Sequence, residues 1–243
     1  MGFRDFQNLP TIKSMRFEGL HFHYNPETPI LTNVDFDFPM DSITWIRAES
    51  GKGRSALLQL LAGLLTPTSG AYLINQKNVV DMSFEEFNPY RMALGYAFDL
   101  GGLISNRTLF ENLMLPLMYH KVLPHEDAQK KVFEDLEFFK IKGHKDQRPS
   151  MVSGQIRKLV CLARAMILNP QVLLLDDPTI GLSPAALQQL VEKIQTLREL
   201  GYLNHIFVCT NDEKFISKFD VKIVQLDNFS LQNLVDMKKV VAL

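Results

Sequence analysis

The chain has 243 residues, 46% of them hydrophobic, which suits one or two domains and a large buried core. Its 26 basic and 27 acidic residues leave a net charge of -1. That balance argues against a nucleic-acid binder driven by phosphate neutralisation and gives no general pull towards an anionic membrane.

Cys161 and Cys209 lie in apolar stretches and read as buried thiols in a reducing compartment, not as a disulfide. Residues 1–10 carry no long apolar core and no cleavage signature, so no signal peptide is expected. The longest apolar run, residues 56–65, is interrupted by Gln59 and falls well short of the ~20 residues that span a bilayer. At a membrane, another chain must hold this one.

In chain order, the pattern predicts strands over 15–23 and 31–38, separated by the turn signals Asn25-Pro26 and Thr28-Pro29. A strand over 43–47 runs into a glycine-bearing loop, 48–53, and then a helix over 55–64. Thr66-Pro67-Thr68-Ser69-Gly70 ends that helix before a strand over 71–74. From 84 to 169 helical patterns dominate, at 109–119, 126–139 and 153–168, after one strand at 93–98. Residues 172–175 are wholly apolar, as in a strand buried on both faces of a parallel sheet. A helix over 184–200 has Ser183 as its N-cap and Gly201 as its stop; strands follow at 205–210 and 221–226, and the tail, 230–240, reads as helical. The sum is an α/β core with a helical segment grafted into it.

Strand, glycine-rich loop and helix is the layout of a phosphate-binding loop, whose backbone N–H groups cradle phosphates. Against G-x-x-x-x-G-K-[ST] the segment reads Ala48-Glu49-Ser50-Gly51-Lys52-Gly53-Arg54-Ser55. Gly51, Gly53 and Ser55 fit; Ala48 replaces the first glycine and Arg54 the lysine. Lys52 sits two positions too early to substitute for it. By itself the segment is equally a strand–helix turn with ordinary glycines.

The remaining motifs resemble those of the ATP-binding cassette (ABC) ATPase family, in order and at the right spacing. Tyr24 falls where the family stacks an aromatic ring on adenine. Ser55-Ala56-Leu57-Leu58, Leu61-Ala62-Gly63-Leu64-Leu65 and Thr68-Ser69-Gly70 follow the family's phosphate-loop helix. Leu94-Gly95-Tyr96-Ala97-Phe98 leads to the Q-loop position, Asp99. Ser153-Gly154 opens the signature helix carrying Leu162-Ala163-Arg164-Ala165. Val172-Leu173-Leu174-Leu175-Asp176-Asp177-Pro178-Thr179 matches Walker B, and Gly181-Leu182-Ser183-Pro184 matches the D-loop. The resemblance implies a P-loop NTPase core with an antiparallel β subdomain (1–88 and 166–243) and an inserted helical signature subdomain (89–165). It implies ATP and Mg2+ as cofactors. ATP would contact Tyr24, Ser50, Gly51, Gly53, Arg54, Ser55 and Ala56, and Ser153, Gly154 and Gln155 would face a partner's ATP. The metal would be held by Ser55, Asp176 and Asp99.

Nearly every catalytic position departs from the family pattern. Arg54 keeps the lysine's charge but is bulkier and forked. Asp177 stands for the catalytic glutamate; one methylene fewer retracts the carboxylate by about 1.5 Å, and such a misplacement can cost on the order of 100-fold in rate. Asn211, in Thr210-Asn211-Asp212, replaces the switch histidine and can hydrogen-bond a phosphate but not carry a proton. Asp99 replaces the Q-loop glutamine and can ligate magnesium or repel a phosphate. Ser183 replaces the D-loop aspartate. The signature reads Val152-Ser153-Gly154-Gln155-Ile156, so Gln155 puts a side chain where the family keeps bare backbone. The replacements are mostly polar for polar, as in a site rewritten rather than eroded.

Three readings follow: a weakly hydrolysing or inactive ATP-binding transporter subunit, a working ATPase that tolerates its substitutions, and a non-enzymatic scaffold. The first is preferred. It implies a transmembrane permease partner, a second ABC domain in a homo- or heterodimer, no nucleic acid, and a peripheral place on the cytoplasmic face of the inner membrane. A heterodimer with an intact ABC domain would pair Ser153 and Gly154 with the partner's good phosphate loop. The segment Gly101-Gly102-Leu103-Ile104-Ser105-Asn106 with Thr108-Leu109-Phe110-Glu111-Asn112-Leu113, Pro116-Leu117 and Tyr119-His120 resembles ATPases of bacterial lipid-transport systems that work with MCE proteins, or is generic sequence between Q-loop and helical subdomain. His21, His23, His125 and His144 show no metal-ligand spacing.

Overall fold

The computed structural model describes residues 9–49, 51–99 and 102–234. Two sheets organise the chain. The strands β1 (Met15–Asn25), β2 (Thr28–Asp37), β4 (Ser69–Ile74) and β5 (Lys77–Asn78) form an antiparallel sheet in the order β2-β1-β4-β5. The strands β3 (Ile43–Arg47), β6 (Leu94–Ala97), β7 (Val172–Asp176), β8 (His205–Cys209), β9 (Val221–Asp227) and β10 (Ser230–Leu234) form a second, in the order β10-β9-β3-β8-β7-β6. Its pairings are parallel except β9 with β10.

Every residue of β7 and β8 is buried, as the unbroken apolar run 172–175 predicts for β7. The pleat sends alternate residues to two cores. Leu173, Leu175, Ile206 and Val208 join the helices α3 (Leu109–His120), α4 (His125–Phe138), α5 (Gly154–Met166) and α6 (Pro184–Glu199). Val172, Leu174, Phe207 and Cys209 instead meet helix α1 (Arg54–Leu61) and the antiparallel sheet. Cys161 and Cys209 are both buried, and neither forms a disulfide.

Three expectations need correcting. Residues 230–234 are not helical: they form β10, paired Ser230↔Asp227 through Leu234↔Ile223. A two-residue turn at Asn228 and Phe229, with φ of 47° and 60°, closes this hairpin, a conformation that Phe rarely supplies and that hid the turn. The rest of the expected helix, 235–240, lies outside the described residues. Secondly, residues 84–93, where no separate element was expected, form the helix α2 (Phe84–Ala93). Ser83 and Glu86 close a capping box at its start, and Pro89 lies inside it. Finally, the span 89–165 begins within α2 and includes β6, which is a strand of the six-stranded sheet. The sheet gives way to helices only after Ala97.

Thr108 and Glu111 form a capping box on α3. Asn112, fully buried, accepts from the Ile104 amide at 2.7 Å and donates to the Ile104 and Thr108 carbonyls. Thr108→Ala is expected to lower stability by about 1 kcal/mol, read as a thermal midpoint about 2–4 °C lower.

Candidate nucleotide site

The central strands β3, β8 and β7 bring three separated segments to one end of the sheet, outside their carboxyl ends, where open α/β sheets place ligands. From β3 the chain enters the loop 48–53. Gly51 and Gly53 have φ of 79° and 93°. A Cβ on Gly53 would overlap Ile30 Cγ2, so both the backbone conformation and the space demand glycine. Gly53 is the N-cap of α1 and supplies no side-chain cap, which leaves the first N–H groups of the helix open to an anion. Ser50 lies outside the described residues. Lys52 is exposed, in agreement with its early position. Ala56 is a buried residue of α1.

Arg54, the first residue of α1, turns into the site. Its Nη1 donates to Asn211 Oδ1 at 2.7 Å, and its Nη2 donates to Asp177 Oδ2 at 3.3 Å. The Arg54 and Asp177 side chains are only 10% and 16% exposed, so this ion pair is largely shielded from water. Arg54, Asp177 and Asn211 are thus one hydrogen-bonded unit. Asp177 has φ of 40°, left-handed for a residue other than glycine, and its N–H is held by the Cys209 carbonyl at 2.8 Å.

Asp176, at the end of β7, is buried and accepts from the Tyr96 hydroxyl at 3.4 Å and from the Ser55 hydroxyl. Hydroxyl and carboxylate are the hard oxygen donors that suit magnesium. Burial raises the Asp176 carboxyl above its usual range; the Ser55 hydrogen bond opposes this, and the nearby Asp177 and Asp99 add to it. Asp177 is also raised by burial, with Arg54 opposing. A carboxyl raised on folding binds more protons folded than unfolded, so its contribution to stability falls as pH rises above about the unfolded value of 3.8. Asp176→Asn is therefore expected to raise the nucleotide-free thermal midpoint at pH 7.5, with the gain vanishing near pH 4; an equal gain at both pH values would contradict this.

Asp99 follows β6. Its carboxylate faces Lys158 of α5, with Nζ 3.5 Å from Oδ1, so the position implied as a third metal ligand is engaged with a cation of the protein, which leaves Ser55 and Asp176 as the pair for Mg2+. The sequence reading missed Lys158; its signal was a single cation on the otherwise apolar face shared with Leu159, Leu162 and Met166. Tyr24, at the end of β1, is 65% exposed, its ring set edge-on to Phe22 at 5.1 Å.

Ser153 caps α5, its Oγ accepting from Ile156 N at 3.4 Å, and Gly154 begins the helix. Gln155 does not project outward: its Oε1 accepts from the Ser183 amide at 2.8 Å, tying α5 to the start of α6. Ser183 Oγ in turn accepts from Ala186 as the N-cap of α6.

Residues 31–180 match the family described as ABC transporter. The chain belongs to the ABC transporter family. An ABC transporter ATP-binding protein of Caldanaerobacter subterraneus subsp. tengcongensis is 31% identical, with 88% of each chain covered. The ABC transporter ATP-binding protein YtrE of Bacillus subtilis is 32% identical over 77% of this chain and 81% of that one. The methionine import ATP-binding protein MetN of Francisella tularensis is 30% identical over 84% of this chain and 57% of its own. Among solved structures, the dimeric post-hydrolysis state of the ATP-binding cassette MJ0796, bound to ADP and Pi, superposes with a TM-score of 0.80 at 23% identity, covering 92% of this ABC protein and all of that chain. CbiO1 from Clostridium perfringens, part of the CbiONQ transporter complex, gives 0.74 at 26% identity, covering 96% and 92%. This ABC protein is the ATP-binding subunit of a transporter, and its fold is the P-loop ABC ATPase fold, with antiparallel, parallel and helical parts in the arrangement described above.

Proposed function

We propose that this subunit binds Mg-ATP but hydrolyses it slowly, and that it serves a transmembrane permease as a nucleotide-responsive part. The observation that carries the reading is the Arg54–Asp177–Asn211 unit. The arginine standing for the phosphate-contacting lysine holds an oxygen of the carboxylate standing for the base, and a carboxylate so engaged is poorly placed to orient an attacking water. Asn211 turns its oxygen to Arg54, which leaves its amide N–H groups for a phosphate but no proton relay. Binding is supported by the open N-terminus of α1, the exposed Tyr24 and the Ser55–Asp176 pair. These features count against a scaffold that has lost ATP.

In this reading Tyr24 stacks on the base, Gly51, Gly53, Arg54, Ser55 and Ala56 with Ser50 hold the phosphates, and Ser55 with Asp176 holds Mg2+. Segment 98–165 acts as the signature subdomain, presenting Ser153 and Gly154 to the ATP of a second ABC domain. An intact partner domain in a heterodimer would keep one working site. No helix among the described residues is long and apolar enough to cross a membrane. In this reading the subunit sits at the cytoplasmic face of the inner membrane through its permease. Lipid cargo and an MCE-type partner rest on residues 101–120 alone, of which Thr108, Glu111 and Asn112 are also accounted for by helix capping and loop closure.

The test is binding and turnover on the same purified sample. Mg-ATP at about 100 times its dissociation constant should stabilise the protein by about 2.7 kcal/mol, while phosphate release stays near background. No thermal shift at millimolar ATP would favour the scaffold. Phosphate release of about 1–10 per second, abolished by Asp177→Ala, would favour a working ATPase.

A further inference from the structure

Lys158 has no part in the chemistry described so far, yet it is one of the most buried cations in the fold, its side chain 6% exposed. It lies on α5, more than one turn beyond Ser153. Its ammonium donates to the carbonyls of Asp99 at 3.0 Å, Asp176 at 3.3 Å and Phe98 at 3.4 Å. One amine therefore ties the signature helix to the ends of β6 and β7, adjacent parallel strands. The fourth contact is the Asp99 carboxylate. Asp99 Oδ1 is buried and accepts no hydrogen bond, and the cation nearest to it among the described contacts is Lys158, at 3.5 Å.

Asp99, Asp176 and Asp177 place three carboxylates at one end of the sheet, against Arg54 and Lys158. Arg54 is committed to Asp177. A nucleotide's phosphates would add further negative charge. A bare carboxylate at position 99 would oppose them in a site partly closed to water, where charges act strongly. We propose that Lys158 is the positioning residue that makes Asp99 tolerable: it neutralises and holds that carboxylate, so that Mg-ATP meets an ion pair in place of an unpaired charge. This inference rests on the reading that the site binds Mg-ATP. The carbonyl contacts keep the ammonium hydrogen-bonded whatever Asp99 does, so the charge at 99 can be varied without stranding a buried cation.

The test is a double-mutant cycle on the full chain, with Lys158→Gln, Asp99→Asn and the pair, read as Mg-ATP dissociation constants with a fluorescent ATP analogue and as nucleotide-free thermal midpoints. Lys158→Gln is expected to weaken binding by about tenfold or more. Adding Asp99→Asn should bring the affinity back to within about threefold of the wild type, the coupling that neighbouring charges show. Asp99→Asn alone should bind at least as tightly as the wild type. A double variant as weak as Lys158→Gln would overturn the proposal, because Lys158 would then act only as a strut. If Lys158→Gln does not fold, Asp99→Asn alone decides, and weaker binding by that variant sinks the idea. If the wild type binds no ATP, the proposed function fails, and the thermal midpoints still test the pairing: Asp99→Asn should cost less in the Lys158→Gln background than in the wild type, and an equal cost in both would refute it.

Discussion

Arg54→Lys, Asp177→Glu and Asn211→His introduced together are expected to raise Mg-dependent ATP turnover by about 100-fold or more over the wild type. The three residues form one unit, so they should be changed as one. Arg54 presently donates to both of the others, at 2.7 Å and 3.3 Å. Asp177→Glu alone would push a longer carboxylate against a guanidinium that still claims it. Asn211→His alone would meet the same donor at the ring nitrogen needed for the phosphate. Lysine removes the fork, which frees the carboxylate and the switch position at once. Single variants should therefore recover far less than their share, the non-additivity expected of residues that act together. The readout is phosphate release with the native permease present. A triple variant no faster than the wild type, with ATP bound equally well, would show that the Arg54 unit is not what limits the chemistry.

Much of this was legible in the sequence. The buried strand β7 declared itself as an apolar run, and Ser183 and Gly201 bounded α6 as expected. What sequence reading could not supply was contact between distant residues. Arg54 meets Asp177 across 123 positions and Asn211 across 157. The sequence offered each as a candidate site residue, but not as a partner of the others. The same holds for Gln155, whose side chain bonds Ser183 28 positions away and leaves the helix start uncluttered. The segments misread locally had a local cause: Phe229 stands in a left-handed turn position where Gly or Asn would have signalled a hairpin, and Pro89 interrupts the helical pattern of α2.

Gly70→Ala is expected to cost about 2–5 kcal/mol, the sum of a left-handed backbone penalty and forced overpacking. Gly70 has φ of 78°, and a Cβ there would overlap the Gly19 carbonyl oxygen and stand 2.7 Å from that of Glu18. These are backbone atoms of the neighbouring strand and cannot swing aside as a side chain can. Gly201→Ala supplies the control: its φ is 74°, but nothing lies within 4 Å of its Cβ position, so it isolates the backbone penalty of about 1 kcal/mol. In thermal melts, Gly70→Ala should lose about 5–15 °C and Gly201→Ala about 2–4 °C. Equal losses would mean that β4 can shift away from β1 freely. The difference bears on the site because β1 pairs with β4 as far as His21↔Ser69 and then runs on to Tyr24. A strand pushed off register at Gly70 would displace the ring proposed to stack on adenine, so Gly70→Ala should also weaken Mg-ATP binding in molecules that remain folded, whereas Gly201→Ala should leave it unchanged.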